Sequence, residues 1–462
     1  MFEIFILTQN KCIFAAFLVQ INVIIININF KFMYRNSIKE LIKWKLCDNR
    51  KPLIVLGARQ VGKTWLIKEF GRTEYKQTVY INFEEETQMR DLFVADYKIS
   101  RIISALEAFT GNKITPDETL IIFDEIQMAS QGITSLKYFY ENAPQYNVVV
   151  SDSLLGMMLH EGVSFPVGKV DFLHLYPMSF YEFLLAMGEN GLANILENKQ
   201  LDIMPLFSNK FIEFLRYYFY VGGMPEAVAT FAKNRDWQKT RQVHNKILLA
   251  YERDFSKHAP KEIYPRLKMA WHSIPSQLAK ENRKFIYGLI KEGARAKDFE
   301  LAIQWLLDSG LLIQCFRNKE PKIPLNAYQD LSAFKLYHND IGLLGAMSKL
   351  SPRTVIEGNR LFTEYKGALA EQFVIQQLRL NENFSIFYFA PDTYSMEVDF
   401  IVQNENDEVI PIEVKAETNL KAKSFKYFCE KYKPAKAIRT SLADYKEENW
   451  MTNLPLYAIN MV

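Results

Sequence analysis

The segment that most constrains this chain is Pro52-Leu53-Ile54-Val55-Leu56-Gly57-Ala58-Arg59-Gln60-Val61-Gly62-Lys63-Thr64. Leu53 to Leu56 is a short apolar run that reads as a buried parallel strand. It passes straight into Gly57–Thr64, which fits G-x-x-x-x-G-K-[ST], and Trp65 to Phe70 suits a helix. Gly57 and Gly62 let the loop through Ala58, Arg59, Gln60 and Val61 wrap with its N–H groups toward phosphate oxygens. The helix N-terminus adds a dipole favourable to anions. Lys63 is then placed to reach the terminal phosphates, and Thr64 offers its hydroxyl to Mg²⁺.

A second strand supplies what such a loop needs. Leu120-Ile121-Ile122-Phe123 ends in Asp124-Glu125. An aspartate at the end of a buried strand can hold Mg²⁺ through water, and the adjoining Glu125 is placed to polarise an attacking water. Lys63 and Glu125 are the expected catalytic pair, with Thr64 and Asp124 on the metal. Around these motifs, Gln77 to Phe83 and Tyr146 to Val150 read as strands, and Ile99 to Phe109 and Ile133 to Asn142 as helices. The alternation predicts an α/β parallel sheet with helices on both faces. The strand ending at Ser151-Asp152-Ser153 offers Ser151 and Ser153 either as sensors of the terminal phosphate or as plain turn residues.

These pieces resemble the AAA-type P-loop ATPases, and more narrowly a bacterial and archaeal group that joins an AAA domain to a C-terminal domain of unknown function. The matching residues are GARQVGKT, INFEE, LIIFDEIQ, VVVSDSLLG, residues 165–184, YVGGMPEAV (220–228) and YERDFSK (251–257). The resemblance runs from about residue 33 to the end and implies ATP with Mg²⁺ as ligands. The group has Gly-Arg where this chain has Gly168-Lys169. Lysine keeps the charge but loses the planar fork, so Lys169 is a sensor candidate with an arginine-finger-like role in doubt. AAA domains often form rings, and a homo-oligomer is the matching expectation, weakened by that lysine.

The expected organisation is an apolar extension over 1–32, an ATPase core over 33–200, a helical lid over 201–260, a winged-helix-like module over 261–325 and a restriction-endonuclease-like α/β domain over 326–462. In the fourth of these, Pro265 to Ile274 reads as a helix ended or kinked by Pro275. Lys297 to Asp308 forms an amphipathic helix followed by the apolar strand Leu311 to Phe316. Such a module either enters a DNA groove or packs against protein.

The last hundred residues carry a second chemical signal. Glu371 lies on a helix, Asp399 on a strand and Glu413 and Lys415 on the next, where period two puts both on one face. Two or three carboxylates plus a lysine are the equipment for metal-dependent phosphodiester hydrolysis, and the pattern resembles the core of restriction-endonuclease-like proteins. The alternative is a structural ion pair on a degenerate core. Residues 415–439 contain eight Lys/Arg against Glu417 and Glu430, a local charge of 8 − 2 = +6 within a chain of net +3. With interleaved aromatics this suits DNA, or else an amphipathic helix with a solvated lysine face.

The remaining composition mostly excludes. Hydrophobic residues at 49% rule out wholesale disorder. Four scattered cysteines give no zinc ribbon and no disulfide framework, which fits a reducing, cytoplasmic setting. Ile13 to Phe30 approaches bilayer-spanning length but carries Gln20, Asn22, Asn27 and Asn29. A start at Met33, a weak membrane anchor and a structured extension are the three readings. For function, the expectation is an ATP-binding, Mg²⁺-dependent ATPase whose nucleotide state controls a C-terminal module. An ATP-gated metal-dependent DNA nuclease and a switch acting on a protein partner are the alternatives.

Overall fold

The computed structural model describes residues 33–152, 165–280, 284–357, 363–392, 396–416 and 423–462. The N-terminal apolar run and Ser153 lie outside the described residues. The chain divides into two compact units, one reaching Tyr176 and one beginning at Pro177.

The first unit runs α1 (Ser37–Leu46), β1 (Leu53–Leu56), α2 (Lys63–Glu74), β2 (Gln77–Asn82), α3 (Ile99–Thr110), β3 (Thr119–Asp124), α4 (Gly132–Asn142), β4 (Asn147–Ser151) and β5 (Asp171–His174). Its five strands form one parallel sheet in the order β2-β3-β4-β1-β5. The burial of each strand follows its place. Every residue of β3 is buried, whereas the edge strands β2 and β5 alternate, as strands covered on both faces or at an edge should. On α3, Ile99, Ile102, Ile103 and Leu106 recur at helical spacing and bury against Phe83, Phe123 and Phe139. Phe83 and Phe123 stand 5.6 Å apart, centroid to centroid. Truncating a ring such as Phe123 to alanine costs about 3–5 kcal/mol, so this cluster fixes the sheet. The parallel register pairs Val55 with Ser151 and Asp124 with Ser151. It therefore brings the end of β1, Asp124 and Ser151 to one edge of the sheet, although β4 separates β1 from β3.

The second unit begins with α5 (Phe180–Ala186) and α6 (Asn190–Glu197), so these helices, read above within a core extending to residue 200, pack outside the first unit. They are followed by α7 (Ser208–Val221), α8 (Pro225–Asn234), α9 (Trp237–His258), α10 (Tyr264–Leu278) and α11 (Ala296–Asp308). α10 continues one turn past Pro275. So close to the helix end, the proline removes a single backbone bond.

Then come β6 (Leu312–Asn318), β7 (Gln329–His338), α12 (Ile341–Met347), α13 (Pro352–Glu357), α14 (Thr363–Leu378), β8 (Ser385–Phe389), β9 (Val398–Gln403), β10 (Val409–Val414), α15 (Lys423–Tyr432), β11 (Ile438–Ser441), β12 (Lys446–Glu448) and β13 (Met451–Pro455). All eight strands lie in one sheet, ordered β12-β13-β11-β10-β9-β8-β6-β7. The strand expected to end a separate winged helix instead pairs antiparallel with β7 and parallel with β8. Residues 261–325 and 326–462 thus share a sheet. The physical reason is that β6 carries buried residues on both faces, Leu312 and Ile313 among them, and needs cover that a solvated wing does not give.

Buried polar groups tie α14 to this frame. Gln372 accepts a hydrogen bond from His338 N at 2.9 Å, and Gln376 donates to the Tyr218 hydroxyl at 3.0 Å. Asp340 caps α12 through Leu343 N at 2.9 Å and accepts from Gly223 N at 2.6 Å.

Candidate functional site

The phosphate loop is held from below by packing and from behind by an arginine. Val61 is fully buried and Ala58 nearly so. Gly57 has φ +147°, and a Cβ there would stand 2.2 Å from the Leu175 carbonyl oxygen, so only glycine fits. Gly62 caps α2 at φ +96°. Buried Arg35 donates to Val61 O at 2.7 Å and also to Tyr176 O, which pins the loop backbone. Sequence reasoning missed Arg35, since nothing local ties it to a loop 26 residues away.

Lys63 lies under this loop with only 7% exposure. Its ammonium donates to Gly57 O at 2.7 Å and Ala58 O at 3.0 Å. Burial lowers its pKa to about 8 despite the opposing charges of Glu125, Asp152 and Asp124. Asp152 is buried and close enough to act on Lys63 electrostatically.

Asp124 is the hub. Its carboxylate accepts from Thr64 Oγ1 at 3.0 Å, from the Tyr80 hydroxyl at 2.7 Å and from the Ser151 hydroxyl. Ser151 therefore touches Asp124 directly, as the strand-end residue of β4 opposite it. Tyr80 was not foreseen. It reaches Asp124 because β2 and β3 pair in register, Tyr80 with Ile122 and Asn82 with Asp124. Lys68 Nζ lies 3.5 Å from the Tyr80 ring centroid, a cation–π contact that fixes the ring.

Glu125 follows with φ +52°, a left-handed conformation uncommon for glutamate. The turn ends the extended run of β3 at the residue that carries this carboxylate. Gln127 donates to that carboxylate. A hydroxyl and a carboxylate at one sheet edge are hard oxygen donors of the kind Mg²⁺ takes, with water completing the shell. The residues present thus fit Mg²⁺–nucleotide: Lys63 and the loop N–H groups on phosphate, Thr64 and Asp124 on the metal side, Glu125 beside them.

Residues 49–184 match the AAA domain family. This stretch is an AAA-type P-loop domain. ATP with Mg²⁺ is the ligand general to AAA domains. Residues 212–354 and 366–459 each match a domain of unknown function, DUF8612 and DUF4143. Among solved structures, the chain is similar to a Walker-type ATPase of Pyrococcus abyssi at 13% identity, covering 69% of this chain and 96% of that one with a TM-score of 0.44. It is also similar to the Aeropyrum pernix ORC1 protein in complex with DNA (14% identity, 68% and 91% covered, TM-score 0.26) and to Drosophila ORC bound to DNA (12%, 71% and 87%, TM-score 0.26). No curated protein matches the chain.

Within the AAA domain, Lys169 stands apart from the phosphate loop. It precedes β5, whose Asp171 pairs with Leu53 at the start of β1, so it sits at the opposite end of the sheet. There it pairs with Glu141 at 3.1 Å and lies over the Tyr140 ring.

The structure brings the four C-terminal residues together as the strand pattern expects. Asp399 accepts from Val414 N at 2.7 Å across the β9–β10 pair, and Lys415 Nζ lies 2.6 Å from Glu413. Glu371, from α14, accepts from the Tyr337 hydroxyl at 3.0 Å. Burial and the neighbouring charges of Glu371 and Glu413 hold the Asp399 carboxyl well above the usual range, and burial raises Glu413 as well.

Sequence reading missed Lys335 of β7. Its side chain is fully buried, with Nζ 2.7 Å from Glu397 and 3.7 Å from Glu371. Burial pulls its pKa down, but Glu371, Glu397 and Asp399 outweigh this and hold the ammonium above the ordinary lysine range. The signal was a lysine in the middle of the buried half of a strand, Ala333-Phe334-Lys335-Leu336-Tyr337, a residue type almost never fully buried unless paired.

The basic segment 415–439 divides. Lys423, Lys426, Lys431, Lys433 and Lys436 are exposed. Arg439 is buried on β11 with Asn453 and Glu448, and Lys421 lies outside the described residues. Phe425 and Phe428 belong to the core while Tyr427 is exposed, which is the pattern of an amphipathic helix with a solvated lysine face.

Among the described residues, no helix is long and apolar enough to cross a membrane.

Proposed function

We propose that this protein is a Mg²⁺-dependent ATP hydrolase whose nucleotide state governs its C-terminal module. The observation that supports hydrolysis best is the grouping at one sheet edge of the buried Lys63 amine, the Thr64–Asp124 pair and Glu125. Lys63 and the loop N–H groups hold the phosphates, and bound Mg²⁺ neutralises charge developing on them. Asp124 and Thr64 position that metal, while Glu125 takes the proton of the attacking water. The exposed lysines of α15, with Tyr427 beside them, make nucleic acid the partner class that suits the module; a protein partner is the competing class. Phosphate release measured with and without DNA tests both parts. Glu125→Gln should keep ATP binding and lose turnover at least about a hundredfold. Wild-type turnover in that variant removes Glu125 from the mechanism, and a rate indifferent to DNA but raised by protein shifts the partner class.

A further inference from the structure

A divalent metal is what a restriction-endonuclease-like core implies for Glu371, Asp399, Glu413 and Lys415, and the residues here do not fit one. Mg²⁺ requires several oxygens converging near 2.0–2.1 Å, in near-octahedral geometry. Among the described residues, no three His, Cys, Asp or Glu side chains converge closely enough to hold a metal ion. The Lys335 side chain is instead among them. Its ammonium has no exposure to solvent and lies 4.8 Å from the Tyr388 ring centroid. Directly across the β6–β7 pair stands Cys315, buried, its thiol pushed up to about 12 by burial. Aromatic and thiol walls leave the amine only the carboxylates to answer its charge, and a buried charge has to be paired.

We propose that the Lys335 ammonium stands in place of a divalent cation among Glu371, Glu397, Asp399 and Glu413, so that this cluster binds no metal and the C-terminal module does not hydrolyse phosphodiesters. The charges agree. Four carboxylates face two ammoniums, Lys335 and Lys415, and burial together with neighbouring carboxylates raises Asp399 and Glu413, which favours their neutral forms and eases the excess of negative charge. The origin of the lysine agrees too. The three carboxylates expected from sequence lie within residues 366–459, whereas Lys335 comes from the preceding matched segment, residues 212–354, through the shared sheet. The inference concerns the second unit alone and is independent of the ATPase reading.

Mn²⁺ titration of the nucleotide-free full chain, followed by electron paramagnetic resonance, tests it. Wild type and Asp399→Asn should take up Mn²⁺ identically, and neither should nick supercoiled plasmid DNA in Mg²⁺ or Mn²⁺. Lys335→Ala should gain a Mn²⁺ equivalent, and Lys335→Ala/Asp399→Asn should lose it again. A wild-type Mn²⁺ site or cleavage that Asp399→Asn abolishes overturns the proposal, as does a folded Lys335→Ala with no added Mn²⁺. Should Lys335→Ala not fold, the wild-type and Asp399→Asn comparison decides by itself.

Discussion

Each unit of this chain buries a lysine beside carboxylates, and the two lysines are perturbed in opposite directions. Lys63 rests on two backbone carbonyls, and burial drags its pKa down to about 8. Lys335 meets Glu397 at 2.7 Å, with Glu371 at 3.7 Å, and is held above the ordinary lysine range. A lowered lysine pKa means that desolvation exceeds what the protein supplies in return, and a raised one means that it does not. On the proposed reading, Lys63 is therefore an incomplete site whose remaining favourable interaction would come from an anionic ligand. Lys335 is complete, and its charge is spent on the fold. A buried lysine thus marks a ligand site only when its partners in the protein fall short.

Exchanging the test between the two lysines gives the largest effects. Lys335→Ala should destabilise the second unit by about 3–5 kcal/mol, because it strands Glu371 and Glu397 without their cation. Urea or thermal unfolding measures this. Lys63→Ala should leave folding stability nearly unchanged yet weaken nucleotide binding by about 2–5 kcal/mol, roughly thirtyfold or more in Kd. Equal losses of folding stability in the two variants would break the contrast.

A pH titration sharpens it at smaller amplitude. Below about 8 the resting Lys63 is protonated and can meet phosphate. Above that value it is neutral, and binding must first take up a proton. Nucleotide affinity should therefore fall as pH rises through 8, approaching about tenfold per pH unit, and the trend should vanish in Lys63→Ala. Lys335, with its folded pKa raised, contributes stability that is lost only as pH climbs past the ordinary lysine range. Unfolding free energy attributable to it should stay flat between about pH 7 and 9. Calorimetric binding and denaturant unfolding across one pH series separate the two behaviours.

What the sequence made legible was local. The β1–loop–α2 run, Asp124-Glu125 at the end of β3 and the Glu413–Lys415 pair all depend on neighbours within a few residues, and all lie where the pattern puts them. Of the two readings of residues 415–439, the amphipathic helix agrees with α15, whose Phe425 and Phe428 lie in the core. What stayed hidden depends on register between distant strands. Tyr80 touches Asp124 only because β2 lies beside β3 in one particular alignment. Lys335 reaches the carboxylates only because β6 joins β7 to β8. Arg439 counted as surface charge in a linear tally, yet the parallel pairing of β10, β11 and β13 buries it against Asn453. Strand order is a long-range choice that composition and periodicity leave open.

The smallest expected effect probes one of those hidden contacts. Three hydroxyls donate to Asp124, and they do not have the same task. On the proposed reading, Thr64 would turn toward Mg²⁺ when nucleotide binds, and Ser151, at the strand end, would follow the nucleotide. Tyr80 donates to the same Asp124 oxygen as Thr64, and its ring is held by Lys68. On the proposed reading, its hydroxyl keeps Asp124 aimed while Thr64 is exchanged, so Tyr80 would act as a positioning residue. Tyr80→Phe removes a single hydrogen bond to a charged acceptor, worth about 1.5–3 kcal/mol at most and less where water can replace it. The expected result is a several-fold rise in the Mg²⁺ concentration needed for half-maximal ATP turnover with kcat little changed. A fall in kcat at saturating Mg²⁺, with unchanged Mg²⁺ dependence, would instead place the Tyr80 hydroxyl in the chemical step.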